Sequence, residues 1–304
     1  MRSSGRTDVE TSATPISLKA TGRARRRLMV NHSAQRMATG AAILAVGVLG
    51  VVVVSVLLRG LPALNLDLFT KNQVTFGQTG GGIENAIVGT AIMVALATAV
   101  ALPIGILVAI YVAEFAPERV GQAIRLALDV LNGVPSIVIG IFMYALLVVG
   151  SGYAGWKGAL SLAIVMLPLV SRSTMEVLNL VPGSLREASF ALGVSKWRTV
   201  LFVVMPTVLG GILTGSTLAI ARAAGETAPL LFTTSIFLPN QVVTDPNHAM
   251  ASIPLIIFTF SEAPDQFLND QAWAAAFILM AFVLVSSLSA RWLLSRSERK
   301  LRGR

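Results

Sequence analysis

Six apolar stretches, each near the roughly 20 residues that a helix needs to cross a hydrocarbon core of about 30 Å, constrain this chain more than any other feature. They run from Met37 to Leu58, Ala86 to Val112, Ala127 to Val149, Ala159 to Leu180, Thr207 to Phe232 and Ala272 to Leu294. Inside lipid every backbone donor and acceptor has to be satisfied within its own segment, so stretches of this kind become helices. With 54% hydrophobic and 13% charged residues, the chain is more apolar than a soluble domain with one core can use. The expected fold is an all-α, polytopic transmembrane bundle of six spans. Ser252 to Phe260 is also apolar, but it is too short to span and carries Pro254, and it is expected to be packed irregular structure in an outer loop.

Basic residues give the orientation, because Lys and Arg are retained on the cytoplasmic side. With both termini inside, the inner tails and loops hold nineteen of the 24, and the outside holds Arg59, Lys71 and Lys157. Arg172 and Arg222 fall within spans. The outer segment from Thr233 to Asp270 has no Lys or Arg, so the opposite topology inverts a strong bias. The net charge of +9 therefore reflects retention and lipid headgroups, and with no accompanying aromatic–basic module it does not indicate nucleic-acid binding. Residues 1–36 form a basic cytoplasmic tail expected to be disordered, 37–294 the transmembrane domain, and 295–304 a second basic tail. The chain has no cysteine, which excludes a disulfide framework and Cys-based metal sites.

Between the fourth and fifth spans lies a polar segment, 181–206. It contains Pro182-Gly183, a helix-compatible run from Leu185 to Leu192, Gly193 as a permissive bend, and a second run from Ser195. Ala188 and Ala191 keep one side of the first run thin, Glu187 sets a charge at its edge, and Leu192 offers an apolar anchor. Such a segment suits docking to another protein. It also suits a plain connector lying on the headgroups, anchored by Lys196, Trp197 and Arg198.

Charges inside spans cost at least about 2.5–3.5 kcal/mol on insertion scales, so each points to function by default. Arg222 and Glu226 stand at i and i+4 on the fifth span, Arg222 some 24 Å along from Pro206 at about 1.5 Å per residue. They form either a neutralising pair that serves packing or a cationic fork for an oxyanion, which Glu226 holds when the pathway is empty. Pro229 permits a kink nearby. Arg172 on the fourth span is either a second step for the anion or a side chain reaching the inner headgroups, with Glu176 as its i+4 partner. Gly133-Val134-Pro135-Ser136 breaks the third span, with Asp129 and Asn132 before it, and is read as shape, with Ser136 a possible lining hydroxyl.

Glu187-Ala188-Ser189, three residues, Gly193, nine residues, then Val203-Val204-Met205-Pro206 resembles the EAA loop of binding-protein-dependent ABC importer permeases. The runs Leu167 to Arg172 and Ala221 to Leu231, the Gly133 to Val138 break and the Gly81-Gly82-Ile83 turn are similar to those of the PstA-type phosphate permease family, over about Gly80 to Phe282. The resemblance implies a type I importer permease fold in a bacterial inner membrane. It implies Arg222, Glu226 and Arg172 as substrate-pathway residues, and Glu187, Ala188 and Gly193 as residues coupling to an ATPase. The implied partners are a PstC-like second permease, a PstB-like ATPase dimer holding ATP and Mg, a PstS-like external phosphate-binding protein, phosphate and membrane lipid. This chain itself is expected to carry no cofactor and no metal, and it lacks the Gly-x-x-x-x-Gly-Lys-Ser/Thr pattern of a phosphate-cradling loop.

Rival readings are a permease for molybdate, sulfate or phosphonate, a phosphate-sensing membrane scaffold, and an intramembrane enzyme. The last needs a nucleophile–base pair or metal-ligand spacing, and the two histidines, His32 and His248, lie in a tail and an outer loop.

Overall fold

The computed structural model describes residues 23–74, 80–235 and 241–301. Among them every regular element is helical. The chain divides after Val54 into two units. In the first, the described residues form the greater part of one long helix, α1 (Arg23–Gly60). Residues 23–36, expected as disordered tail, are its opening turns; 1–22 lie outside the described residues.

The second unit holds the remaining helices. A 3₁₀ turn (Leu61–Ala63) and the short α2 (Leu66–Thr70) lead to α3 (Glu84–Ile110), which ends in a π-helical turn, Tyr111–Phe115. After it come α4 (Glu118–Gly133), α5 (Ser136–Met143) with a π turn to Val148, and α6 (Gly155–Asn179). Two short helices, α7 (Gly183–Ala191) and α8 (Lys196–Thr199), precede α9 (Met205–Ala224) and α10 (Ala228–Thr233). The chain closes with α11 (Ile253–Ser261) and α12 (Gln266–Leu301).

Five helical segments are long and apolar enough to cross a membrane, and a bent pair makes a sixth. The pair is α4 with the α5 segment, turned by 95° at Val134-Pro135. The third stretch is thus a break of larger angle than a kink. Pro135 lacks the N–H needed to carry α4 onward, and Val134 before it takes an extended conformation.

Within the second unit α6 is the most buried spanning helix. It packs along α3 because α3 presents small residues at helical spacing, Ala97, Ala101, Gly105 and Ala109, which let backbones approach. α6 also meets α9, antiparallel. A Cβ on Gly211 would stand 2.5 Å from Val177, and one on Gly215 would stand 2.3 Å from Ser173. Those two contacts fix the α6–α9 register.

Two further expectations change. Ser252 to Phe260 is a regular helix, α11, because Pro254 sits in its first turn, where a missing N–H costs nothing. Its N-terminal amide is met across space, Ile253 donating to Thr90 Oγ1 at 2.9 Å. The fifth stretch breaks after Ala224, and Pro229 opens the separate helix α10 rather than kinking a continuous one.

Candidate functional site: an exposed inner loop and two arginine–carboxylate pairs

The 181–206 segment folds as α7, a tight turn and α8, and α8 runs through a π turn (Val200–Val204) straight into α9. The second run expected from Ser195 is therefore the start of the fifth span. A π turn just before Pro206 accommodates the hydrogen bond that the proline cannot donate. Gly193 ends α7 with φ +75°. Its amide donates to Phe190 O at 2.9 Å and the Val194 amide to Ser189 O at 3.2 Å, so two terminal carbonyls of α7 are satisfied by this left-handed cap.

Glu187, Ala188 and Gly193 are exposed, as are Leu192 and Phe190, and no atom stands within 4 Å of a Cβ placed on Gly193. Ser189, where the loop pattern has Ala, is buried, and its hydroxyl lies 2.8 Å from Thr199 Oγ1. That contact folds α7 onto α8. Arg186 points the other way, its Nη2 reaching Glu114 Oε1 at 2.6 Å in the π turn ending α3.

Arg222 lies in the last turn of α9 and Glu226 in the break before α10, with Nε and Oε1 3.4 Å apart. The contact is long for a charged hydrogen bond, and the guanidinium side chain is 50% exposed against 14% for the carboxylate. Arg172 pairs with Asp129 on α4. The expected partner Glu176 is exposed one turn further along α6, so that assignment is corrected. The i+4 rule compares residues on one helix, whereas the 95° bend brings α4 beside α6. Counted from the Ser173–Gly215 level, the backbones of Arg222 and Arg172 are offset by roughly 9 Å along the α6 and α9 axes, at about 1.5 Å per residue.

The sequence reading missed three partners. Asp129 belongs to a stripe, Glu118, Gln122, Arg125 and Asp129, whose helical spacing was legible but was obscured by treating Ala127 onward as a span. Glu114 carries no local signal for a partner 72 residues away. Lys157, assigned to the outer side with no partner named, is buried, donating to Ser151 Oγ at 2.8 Å and Gly152 O at 2.5 Å, with the Trp156 ring 5.5 Å away. Among the described residues no group of three His, Asp or Glu gathers as a metal ion requires.

Residues 101–303 match the family of binding-protein-dependent transport system inner membrane components. A phosphate transport system permease protein PstA from Pasteurella multocida is 43% identical over 236 residues, covering 77% of this chain and 83% of the relative. One of the same name from Xylella fastidiosa is 38% identical over 285 residues, covering 90% and 96%. Among solved structures, a bacterial alginate ABC transporter chain, in complex with an alginate pentasaccharide-bound periplasmic protein, superposes with a TM-score of 0.61 at 14% identity, over 90% of this chain and 98% of that one. An identity that low speaks to the fold, a multi-pass helical permease fold that fits the candidate spans described above. Taken with the exposed EAA-type loop and the paired intramembrane arginines, these matches place the chain in the binding-protein-dependent transport inner membrane component family, within its PstA-type permeases.

Proposed function

We propose that this chain is a permease subunit of an ATP-driven importer of inorganic phosphate in a bacterial inner membrane, lining the pathway and performing no covalent chemistry itself. The observation that carries the reading is the pair of guanidiniums, Arg172 and Arg222, each held by a carboxylate, on the adjacent helices α6 and α9 at backbone levels roughly 9 Å apart along the helix axes. The names of the relatives above support phosphate as the cargo.

The chemistry runs as follows. An arginine fork matches two oxygens of a tetrahedral oxyanion, and a carboxylate beside it prevents a site that never lets go. Each carboxylate repels a fully deprotonated anion yet accepts a hydrogen bond from a protonated one, which favours hydrogen phosphate over sulfate. Glu226 releases Arg222 to the arriving ion, and Asp129 releases Arg172 when α4 and α6 shift. Both arginines are about half exposed on the bundle surface, a costly arrangement against lipid, which supports a second permease covering this face. Glu187, Ala188 and Gly193 then seat on an ATPase dimer that handles ATP and Mg, while an external binding protein supplies the phosphate.

Labelled-phosphate uptake by the reconstituted complex tests this reading. Arg222→Ala is expected to lower uptake at least tenfold, and sulfate in excess is expected to compete weakly with the wild type. Wild-type uptake by the Arg222 variant would remove the pathway assignment.

A further inference from the structure

The exposed loop is poorly anchored by apolar packing: of α7's nine residues only Ser189 is buried, and Leu185, Phe190 and Leu192 face outward. Besides the Ser189–Thr199 contact that ties α7 to the start of the fifth span, the side chain of Arg186 fastens it to other helices. Arg186 Nε lies 3.1 and 3.3 Å from the two carboxylate oxygens of Glu114, and Nη2 lies 2.6 Å from Oε1. Nη2 also donates to Leu178 O at 3.1 Å, and Nη1 to Val181 O at 2.8 Å. The Glu114 side chain is only 6% exposed, in the π turn that ends α3, and the two carbonyls belong to the last turn of α6 and the second residue past its end. One guanidinium thus joins α3, α6 and α7. The C-terminal carbonyls of a helix lack intrahelical donors and attract cations, so the α6 end suits this role.

Buried ion pairs contribute little net stability, yet they fix geometry closely through their fork of hydrogen bonds. We propose that Arg186 and Glu114 form the joint through which displacement of α7 is delivered to α3 and α6; the proposal rests on the coupling reading of the Glu187 loop. Arg186 is a positioning residue, and its route to the cargo is short. Leu178 O lies six residues, about 9 Å, along α6 from Arg172, whose contact with Asp129 shifts when α6 is pulled.

The test uses the full complex in proteoliposomes with its external binding protein, reading phosphate moved per ATP hydrolysed. Glu114→Gln, which keeps the shape, and Arg186→Lys, which keeps the charge but loses the fork, are each expected to assemble, to keep ATP hydrolysis within about threefold, and to lower the ratio at least tenfold. Because the chain has no cysteine, Glu114→Cys with Arg186→Cys can be joined by a short bifunctional thiol reagent. Joining is expected to restore at least a third of the ratio, which a requirement for charge alone would not do. A wild-type ratio in both single variants, a proportional loss of hydrolysis and transport, failure of both to assemble, or no recovery on joining overturns the joint. Glu187→Lys in the same assay separates the premise: if that complex assembles and transports normally, the coupling reading itself fails.

Discussion

The outer end of the 55–304 unit and its inner loop are held together by different means. At the outer end each contact engages backbone: a Cβ on Gly89 would stand 2.1 Å from Ala251 O, the Thr90 hydroxyl caps α11, and the Gln271 side chain donates to Gly81 O at 2.6 Å. Leu68, Ile83, Ile256 and Leu268 fill the space between α2, α3, α11 and α12. The inner loop instead depends on a hydroxyl pair, one glycine cap and one arginine fork. Backbone contacts have no second arrangement of similar energy, whereas a few charge-assisted contacts can be exchanged. The comparison teaches where motion is available: the outer end is a tightly packed collar, and the inner loop is held by contacts that can be exchanged.

The largest expected effect breaks the collar. Gly89→Val forces atoms into the Ala251 carbonyl, and overpacking against backbone costs about 1–3 kcal/mol or more, so the chain should fail to accumulate in membranes. Gly183→Ala in α7 meets nothing within 4 Å and should accumulate normally. Equal loss in both would abolish the distinction. Next, Thr90→Val leaves the buried Ile253 amide without its acceptor, at about 1–3 kcal/mol, seen as a lower midpoint of thermal unfolding in detergent.

Smaller again is Gly193→Ala. With open space around it, the substitution carries only the left-handed backbone cost of about 1–2 kcal/mol, and an isolated permease should be destabilised by no more than that. Phosphate uptake should fall further than stability does, because the same glycine is exposed on the loop proposed above to seat on the ATPase. Parallel losses in the two measurements would reduce Gly193 to a helix cap.

Segment lengths and one break point were legible in the sequence because apolar runs and prolines act locally. Gly133 to Pro135 marked the first break, whereas Pro229 was read only as a kink in a continuous fifth span; the 95° angle was not legible, since packing of α5 against α10 sets it, with Gly140 Cβ space bounded by Ala228 O and Pro229 at 3.0 Å. Arg172 and Arg222 announced themselves by their cost in a span. Asp129 did not announce its pairing, because the partnership exists only after the chain bends. Pro254 misled for the opposite reason: the same residue that breaks a helix interior opens a helix at its first turn.

The smallest effect sharpens the collar by pH. Asp245 lies in the outer loop, where the Asn247 amide donates to its Oδ1 at 3.0 Å, and that bond, with the Asn247 side chain and nearby His248 in support, outweighs slight desolvation and holds the carboxyl below its ordinary value. This turn matters to the collar because Pro246 O and His248 O accept the Trp156 and Gly155 amides at 3.0 and 2.8 Å, satisfying the first donors of α6. A lowered folded-state value means the contribution is fully present above the ordinary carboxylate range and is lost as pH falls through the folded-state value. Amide exchange in 241–252 and 154–158, corrected for its intrinsic pH dependence, should therefore accelerate only as pH falls below the ordinary carboxylate range. Asp245→Asn keeps an acceptor oxygen but cannot titrate, so its corrected exchange should stay flat across the same range. Since the group is solvent-exposed, the acceleration should remain confined to those segments, and its spread to the α3–α11 contact at Thr90 would show that the collar is not a rigid block.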